Sequence, residues 1–426
     1  MLFSAFQLVF VSIIAKILSF AVRIMLAREL SSEAMNLYAL ASPTMVFLIA
    51  IVQQGIPSAL SKLTAQHGNS TPLFAAAMIT MLTTAVVMSA YALALPYFAS
   101  GFLHHSELIP VLRAILPLLP FVALSGLLKG YLYGRQQHAA ANNAQLWEEG
   151  SRLIFLSVFF AASNIRDPSQ LAATAMASVC VGEIVSCLYM TLRLHIPWKK
   201  ARSVPKAIHK VPLSALHEVL SISMPMMGSR LSGSLTYFLE PILMLVLIPY
   251  AAQEEMVTAY GLLNGYTLPL LTMPGFLSVT LSNYLLPSFT HALAHAQKKK
   301  ARRQCLLILS CCFLFGALCA FGCFIFHEEL FTLFYHTARG STQLRALALP
   351  FLFYALQAPL SALMHACAMS APAFRDTLYG SLFRLAAVCL LAPLLQERAL
   401  LLGLCGGMLI TTCLHAFRLL CFWKHG

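Results

Sequence analysis

Apolar residues run along this chain in long unbroken blocks rather than in the one-sided stripes of a soluble helix. Twelve blocks stand near 3–26, 36–61, 72–100, 109–132, 140–163, 169–193, 217–248, 257–287, 304–326, 346–370, 376–395 and 399–422. Each is at least about the ~20 residues a helix needs to cross the hydrocarbon of a bilayer. The pattern predicts an all-α polytopic membrane protein of about twelve transmembrane helices. The first block has no basic n-region and is interrupted by Lys16, so it reads as a permanent span rather than a cleaved signal.

Most connections are short. The stretch His195–Pro212 is longer and holds Pro197, Pro205 and Pro212, which break helix. It divides the chain into a six-helix lobe at 1–194, a basic cytoplasmic linker at 195–212 and a second six-helix lobe at 213–426. Two such lobes with a central site are a common transporter plan. An internal repeat is faint: Asn36-Leu-Tyr-Ala-Leu in span two and Thr258-Ala-Tyr-Gly-Leu in span eight hold equivalent places. Span eight is also rich in breakers, with Gly261, Gly265, Pro269, Pro274 and Gly275. A proline inside a span frees a carbonyl that neighbouring protein or water must satisfy, so these residues face a cavity or mobile seam rather than lipid.

Composition narrows the function classes. Of 426 residues 59% are hydrophobic and 10% charged, against about 25% charged in soluble domains. Mean hydropathy is +0.77. A soluble enzyme and a disordered chain are both excluded. The net charge of +13 fits cytoplasmic loops loaded with Lys and Arg better than nucleic-acid binding, since no helix-turn-helix, zinc-finger spacing or aromatic-basic platform is present. With the N-terminus inside, seventeen Lys and Arg fall in cytoplasmic loops and span ends, five fall outside and six fall within spans. That asymmetry supports an even span number with both termini cytoplasmic. The twelve cysteines lie in or beside apolar runs without a CxxC pair, and read as buried thiols. No GxxxxGK[ST] motif and no catalytic or metal-ligand spacing occurs, so no cofactor and no metal is expected, and the chain is not read as an enzyme. Energy would come from an ion gradient, the membrane potential or downhill flow of substrate.

The six charges within spans are Lys16, Arg23, Arg113, Arg152, Arg230 and Arg384. Each costs about 2.5–3.5 kcal/mol at mid-membrane on the insertion scale. Ser12, Lys16, Ser19 and Arg23 are spaced 4, 3, 4, which puts them on one helical face. That face is either a cationic wall that binds an anionic headgroup or a structural face with Arg23 snorkelling outward. Span five repeats the pattern with Asn142, Gln145, Glu149 and Arg152. There Glu148, four residues before Arg152, is in the favourable order for a helical ion pair. Span seven carries Ser223, Arg230, Ser234 and Tyr237 on one face, so the first span of each half holds a midplane cation. Glu240 reads as an outer gate or the partner of another cation. Glu183, alone in an apolar run, reads as a proton carrier or the partner of a neighbouring helix. Arg113 and Arg384 lie nearer span ends, where snorkelling is expected.

Several stretches resemble a known family. Ala15-Lys-Ile-Leu-Ser-Phe-Ala-Val-Arg-Ile-Met-Leu-Ala-Arg-Glu-Leu30 and Gly55-Ile-Pro-Ser-Ala-Leu-Ser-Lys62 resemble the start of the stage V sporulation protein B and polysaccharide flippase branch of the multidrug/oligosaccharidyl-lipid/polysaccharide exporter superfamily, to which the lipid II flippases belong. Gln145-Leu-Trp-Glu-Glu-Gly-Ser-Arg152 resembles that branch's Glu-x-x-x-Arg helix. Tyr260-Gly-Leu-Leu-Asn-Gly-Tyr-Thr-Leu-Pro-Leu-Leu-Thr-Met-Pro-Gly275, which contains Asn264, resembles its most recognisable segment. The resemblance implies two six-helix lobes in a V that opens alternately to each side of a bacterial plasma membrane. It implies a lipid-linked sugar of the polyprenyl-pyrophosphate type as substrate. Lys16, Arg23, Arg152 and Arg230 would then line the cavity, meeting phosphate oxygens through charge-assisted hydrogen bonds. Glu148, Glu149, Glu183, Glu240 and Asn264 would be the coupling or gating candidates. Many members of the branch carry fourteen spans, whereas twelve are legible here. A cation-coupled multidrug antiporter of the same fold, which should offer carboxylates to cationic drugs, and a non-transporting scaffold for cell-envelope synthesis are the alternatives.

Overall fold

The computed structural model describes residues 2–67, 71–102, 105–194, 211–276, 278, 286, 289–293, 295 and 297–425. Helix occupies every one of the twelve apolar runs, the eighth being described in full as far as Phe276. Among the described residues nine helices are long and apolar enough to cross a membrane, and ten if a bent pair counts as one span. Most of the linker expected at 195–212, with Lys199, Lys200, Arg202, Lys206 and Lys210, lies outside the described residues. The chain forms two compact units, Met1–Phe238 and Leu239–Gly426.

The first unit holds α1 (Leu2–Glu29), α2 (Ser32–Gln53), α3 (Ile56–His67), α4 (Thr71–Tyr97), α5 (Leu108–Arg113), α6 (Leu118–Gly134), α7 (His138–Ala162), α8 (Pro168–Arg193) and most of α9 (Leu213–Leu247). Local chemistry sets several of the ends. Ser31 caps α2, its hydroxyl accepting from the Ala34 N–H at 3.2 Å. Asp167 caps α8 in the same way, accepting from the Gln170 N–H at 3.0 Å, with Pro168 pre-set for the first turn. Gln54 and Gly55 both take positive φ and break span two into α2 and α3. In this unit α1 packs on α7, α7 on α8, and α6 on α3 and α8.

The second unit holds the end of α9, then α10 (Tyr250–Leu262), a π-helical segment at Leu263–Thr267, α11 (Leu268–Thr272), α12 (Lys298–Ile325), α13 (His327–Tyr335), α14 (Ser341–Ala348), α15 (Phe351–Ala366), α16 (Ser370–Leu395) and α17 (Glu397–His425). Helices α14 and α15 meet at a 55° bend beside Pro350. Helices α16 and α17 approach closely, because Gly380 and Gly407 let the backbones touch: a Cβ on Gly380 would lie 2.6 Å from the Gly407 carbonyl oxygen. Side chains meet backbone carbonyls in and just before the π segment. Tyr335 donates to the Tyr266 carbonyl at 3.1 Å and Gln343 to the Ala259 carbonyl at 3.2 Å. Tyr38 and Tyr260, the shared tyrosines of the faint repeat, are both buried.

Candidate functional site

Helix α1 presents two different exposed faces. Phe10 and Ile17 lie on one, and Lys16 and Arg23, with Ser12 and Ser19 half-buried beside them, lie on the other. At 3.6 residues per turn these faces stand roughly 100–140° apart. Buried residues separate them: Ala15, Val22 and Leu26 on one flank, Phe20 and Ala27 on the other. An apolar face suits lipid. A face of two hydroxyls and two cations suits water or an anion, because each unpaired cation in hydrocarbon costs several kcal/mol. No hydrogen-bond or ion-pair partner among the described residues meets Lys16 or Arg23. Arg230 on α9 is in the same position. It is exposed and without such a partner, and it stands roughly 120–140° around the helix from exposed Met224 and Leu235. Ser223 and Ser234, on its face, are buried.

A second constellation lies inside the first unit, where α6, α7 and α8 meet. Lys129 of α6 donates to Glu148 of α7 at 3.1 Å. Arg152 donates to Glu149, three residues earlier on the same helix, at 3.1 Å. Glu183 of α8 is buried, faces Ser125 of α6 and lies within electrostatic reach of Glu148, Lys129 and Arg152. Gly182 makes this packing possible. A Cβ there would lie 2.7 Å from Cγ and 2.8 Å from Cδ of Arg152, and 2.9 Å from the Glu148 carbonyl oxygen. Two buried polar atoms, Glu183 Oε2 and Arg152 Nε, have no hydrogen-bond partner.

The sequence reading differs from this arrangement at three points. Arg152 pairs with Glu149, not with Glu148 at i−4. Lys129, one of the seventeen cations that the sequence assigns to cytoplasmic loops and span ends, is the partner of Glu148. Arg384, expected to snorkel, instead forks onto Glu240 in the second unit. Its Nε lies 2.8 Å from Oε1 and its Nη2 2.6 Å from Oε2, and Glu240 is fully buried. Of the two readings open for Glu240, partner of another cation is the one its geometry matches. Asn264 sits buried in the π segment and donates to the Tyr260 carbonyl at 3.3 Å.

One cluster went unread. Asp376 of α16, fully buried, accepts from Arg418 Nε at 2.7 and 2.9 Å and faces His415 Nδ1 at 3.2 Å, both on α17. The signal was present, since His415 and Arg418 are three residues apart on one face of an apolar span. Among the described residues no group of three or more His, Cys, Asp or Glu is placed to hold a metal ion.

The intramembrane cations therefore divide into two sets. Among the described residues Lys129, Arg152, Arg384 and Arg418 are bound to carboxylates, whereas Lys16, Arg23, Arg113 and Arg230 are exposed and meet none. Comparison with known proteins supplies a context for the second set. Stage V sporulation protein B of Bacillus subtilis (strain 168) is 27% identical over 423 residues, covering 96% of this chain and 81% of the relative. A multidrug resistance MATE family transporter of the MOP superfamily, in its inward-facing conformation, superposes with a TM-score of 0.74 at 15% identity, over 97% of this chain and 96% of the other. The lipid II flippase MurJ, inward closed, superposes with a TM-score of 0.71 at 14% identity, over 97% and 87%. The all-α polytopic transporter fold is common to all of these structures. Residues 2–293 match the family described as polysaccharide biosynthesis protein, and the chain belongs to that family.

Proposed function

We propose that this protein is a membrane flippase that moves a lipid-linked oligosaccharide or peptidoglycan precursor across a bacterial plasma membrane by alternating access. The observation that carries the reading is the open cationic face of α1, with Arg230 as its counterpart on α9. Among the described residues no carboxylate pairs with these three cations, and a pyrophosphate could supply that charge. A doubly charged, multi-oxygen headgroup suits several Lys and Arg at once. The kinship with a sporulation protein and the likeness to a lipid II flippase support a cell-envelope substrate. In this reading Lys16, Arg23 and Arg230 meet the headgroup, and Arg152 acts from within its ion-paired cluster. A drug antiporter of the same fold should instead offer carboxylates to its cargo. Glu149 and Glu240, however, already serve Arg152 and Arg384.

The test is a proteoliposome assay with fluorescent undecaprenyl-pyrophosphate-linked sugar. Wild type is expected to flip the lipid. Lys16→Ala and Arg230→Ala are expected to lose flipping while remaining folded. Equal movement of a zwitterionic phospholipid would overturn the reading. So would unaltered flipping by both variants.

A further inference from the structure

The α6–α8 cluster is short of one positive charge. It contains three carboxylates, Glu148, Glu149 and Glu183, and two cations, Lys129 and Arg152. Both cations are committed, Lys129 to Glu148 and Arg152 to Glu149. The third carboxylate is left with a buried oxygen, Oε2, that nothing meets. An ionised carboxylate in that state is among the costliest groups a membrane protein can bury. A buried unsatisfied polar atom in a folded protein calls for a specific occupant. A metal cation is disfavoured, because no three His, Cys, Asp or Glu among the described residues converge to hold one. A proton needs only the one oxygen.

We propose that Glu183 is a proton-carrying site. The proposal rests on the flippase reading for its coupling to transport. With the carboxyl neutral, Lys129 and Arg152 keep their own partners and the cluster is balanced. Release breaks the carboxyl O–H bond, leaves the electron pair on oxygen and passes the proton to water. The new carboxylate then competes for Arg152, whose Nε is buried without an acceptor. Arg152 in turn loosens from Glu149 on α7, the helix against which α1 packs. Proton release is thereby tied to the wall that meets the headgroup.

The groups that face Glu183 are few. Helix α7 brings Glu148 and Arg152, and α6 brings Lys129 and the Ser125 hydroxyl. Cys180 and Cys187 lie before and after it on α8 and within its electrostatic reach. Helices α2 and α5 also pack on α8, but contribute none of the charges that act most strongly on it.

Two measurements separate the proton site from the flippase reading. The first is an infrared difference spectrum of purified full-length protein, exchanged between acidic and alkaline buffer. A carbonyl stretch of a neutral carboxyl is expected, lost in Glu183→Gln and retained in Glu149→Gln. A band unchanged in Glu183→Gln would overturn the proposal. Should Glu183→Gln not fold, Ser125→Ala is expected to shift the pH at which the band disappears, and an unshifted band would overturn it. The second is lipid flipping under an imposed pH gradient. Wild type is expected to change rate several-fold with the gradient, and Glu183→Gln to be indifferent to it. Wild-type flipping that ignores the gradient would overturn the coupling. If no lipid moves at all, the flippase reading fails, and the infrared band alone decides the proton site.

Discussion

Arg384 grips Glu240 through two hydrogen bonds of 2.8 and 2.6 Å, across 144 residues of sequence, and the carboxylate it grips has no exposed surface. The pair joins the C-terminal part of α9 to the middle of α16, both within the second unit. It also explains how an arginine persists well inside an apolar span, since forked pairing meets both carboxylate oxygens at once.

Removing one half of that pair should cost more than removing both. Arg384→Met leaves Glu240 buried without its cation, a loss of about 3–5 kcal/mol in comparable buried pairs. The double variant Arg384→Met/Glu240→Gln should recover much of it. Thermal unfolding in detergent, followed by intrinsic tryptophan fluorescence, reads both. Equal destabilisation by the single and double variants would contradict the account.

The open cations should behave in the opposite way. Lys16→Ala and Arg230→Ala remove no ion pair, so unfolding temperature should stay close to wild type. A charged hydrogen bond to phosphate is worth about 1.5–3 kcal/mol, so each variant should weaken headgroup binding by roughly 10- to 150-fold. Titration of a short-chain pyrophosphate-linked sugar into detergent-solubilised protein checks this.

Gly182→Leu should disable the α6–α8 cluster without touching a charge. Even a methyl at this position would overlap the Arg152 side chain. Overpacking of this kind costs about 1–3 kcal/mol. Gly182→Ala should be milder, and Arg152→Ala in the Gly182→Leu background should relieve part of the loss. Absence of any relief would mean that the contact with the Arg152 stem does not limit packing there.

Tyr335→Phe should loosen span eight. It deletes the hydroxyl that meets the Tyr266 carbonyl in the π segment. A hydrogen bond of this kind is worth about 1 kcal/mol. Hydrogen exchange at Leu263–Thr267 should speed up several-fold, while exchange in α16 stays unchanged.

The helices were legible because hydropathy is summed over twenty residues, and a local error does not move a sum. The cationic stripe of α1 was legible for a related reason: its 4, 3, 4 spacing needs only the helix that carries it. The pairing of charges was not. Glu148 and Glu149 differ by one residue, which is about 100° around α7, and only the neighbouring α6 decides which of them Lys129 reaches. Arg384 and Glu240 belong to spans with three others between them. Asp376 is the first residue of the apolar run 376–395, beside Arg375, and nothing in its own span marks it as paired. Its burial follows from α17 lying against it, with Gly380 and Gly407 drawing the two backbones together.

Spans two and eight share a buried tyrosine and then part company. Past Tyr38, α2 keeps ordinary winding as far as Gln53. Three residues past Tyr260, the chain widens into five residues of π-helix. A π-turn takes up one residue more than the α-turn it replaces. Whatever common pattern the two halves carry, they are out of step from that point by a single position. A one-residue deletion within Leu263–Thr267 is therefore the smallest change that should return span eight to plain α-helix, and because the wide turn already absorbs the extra residue, the side chains from Leu268 onward should keep the faces they now occupy.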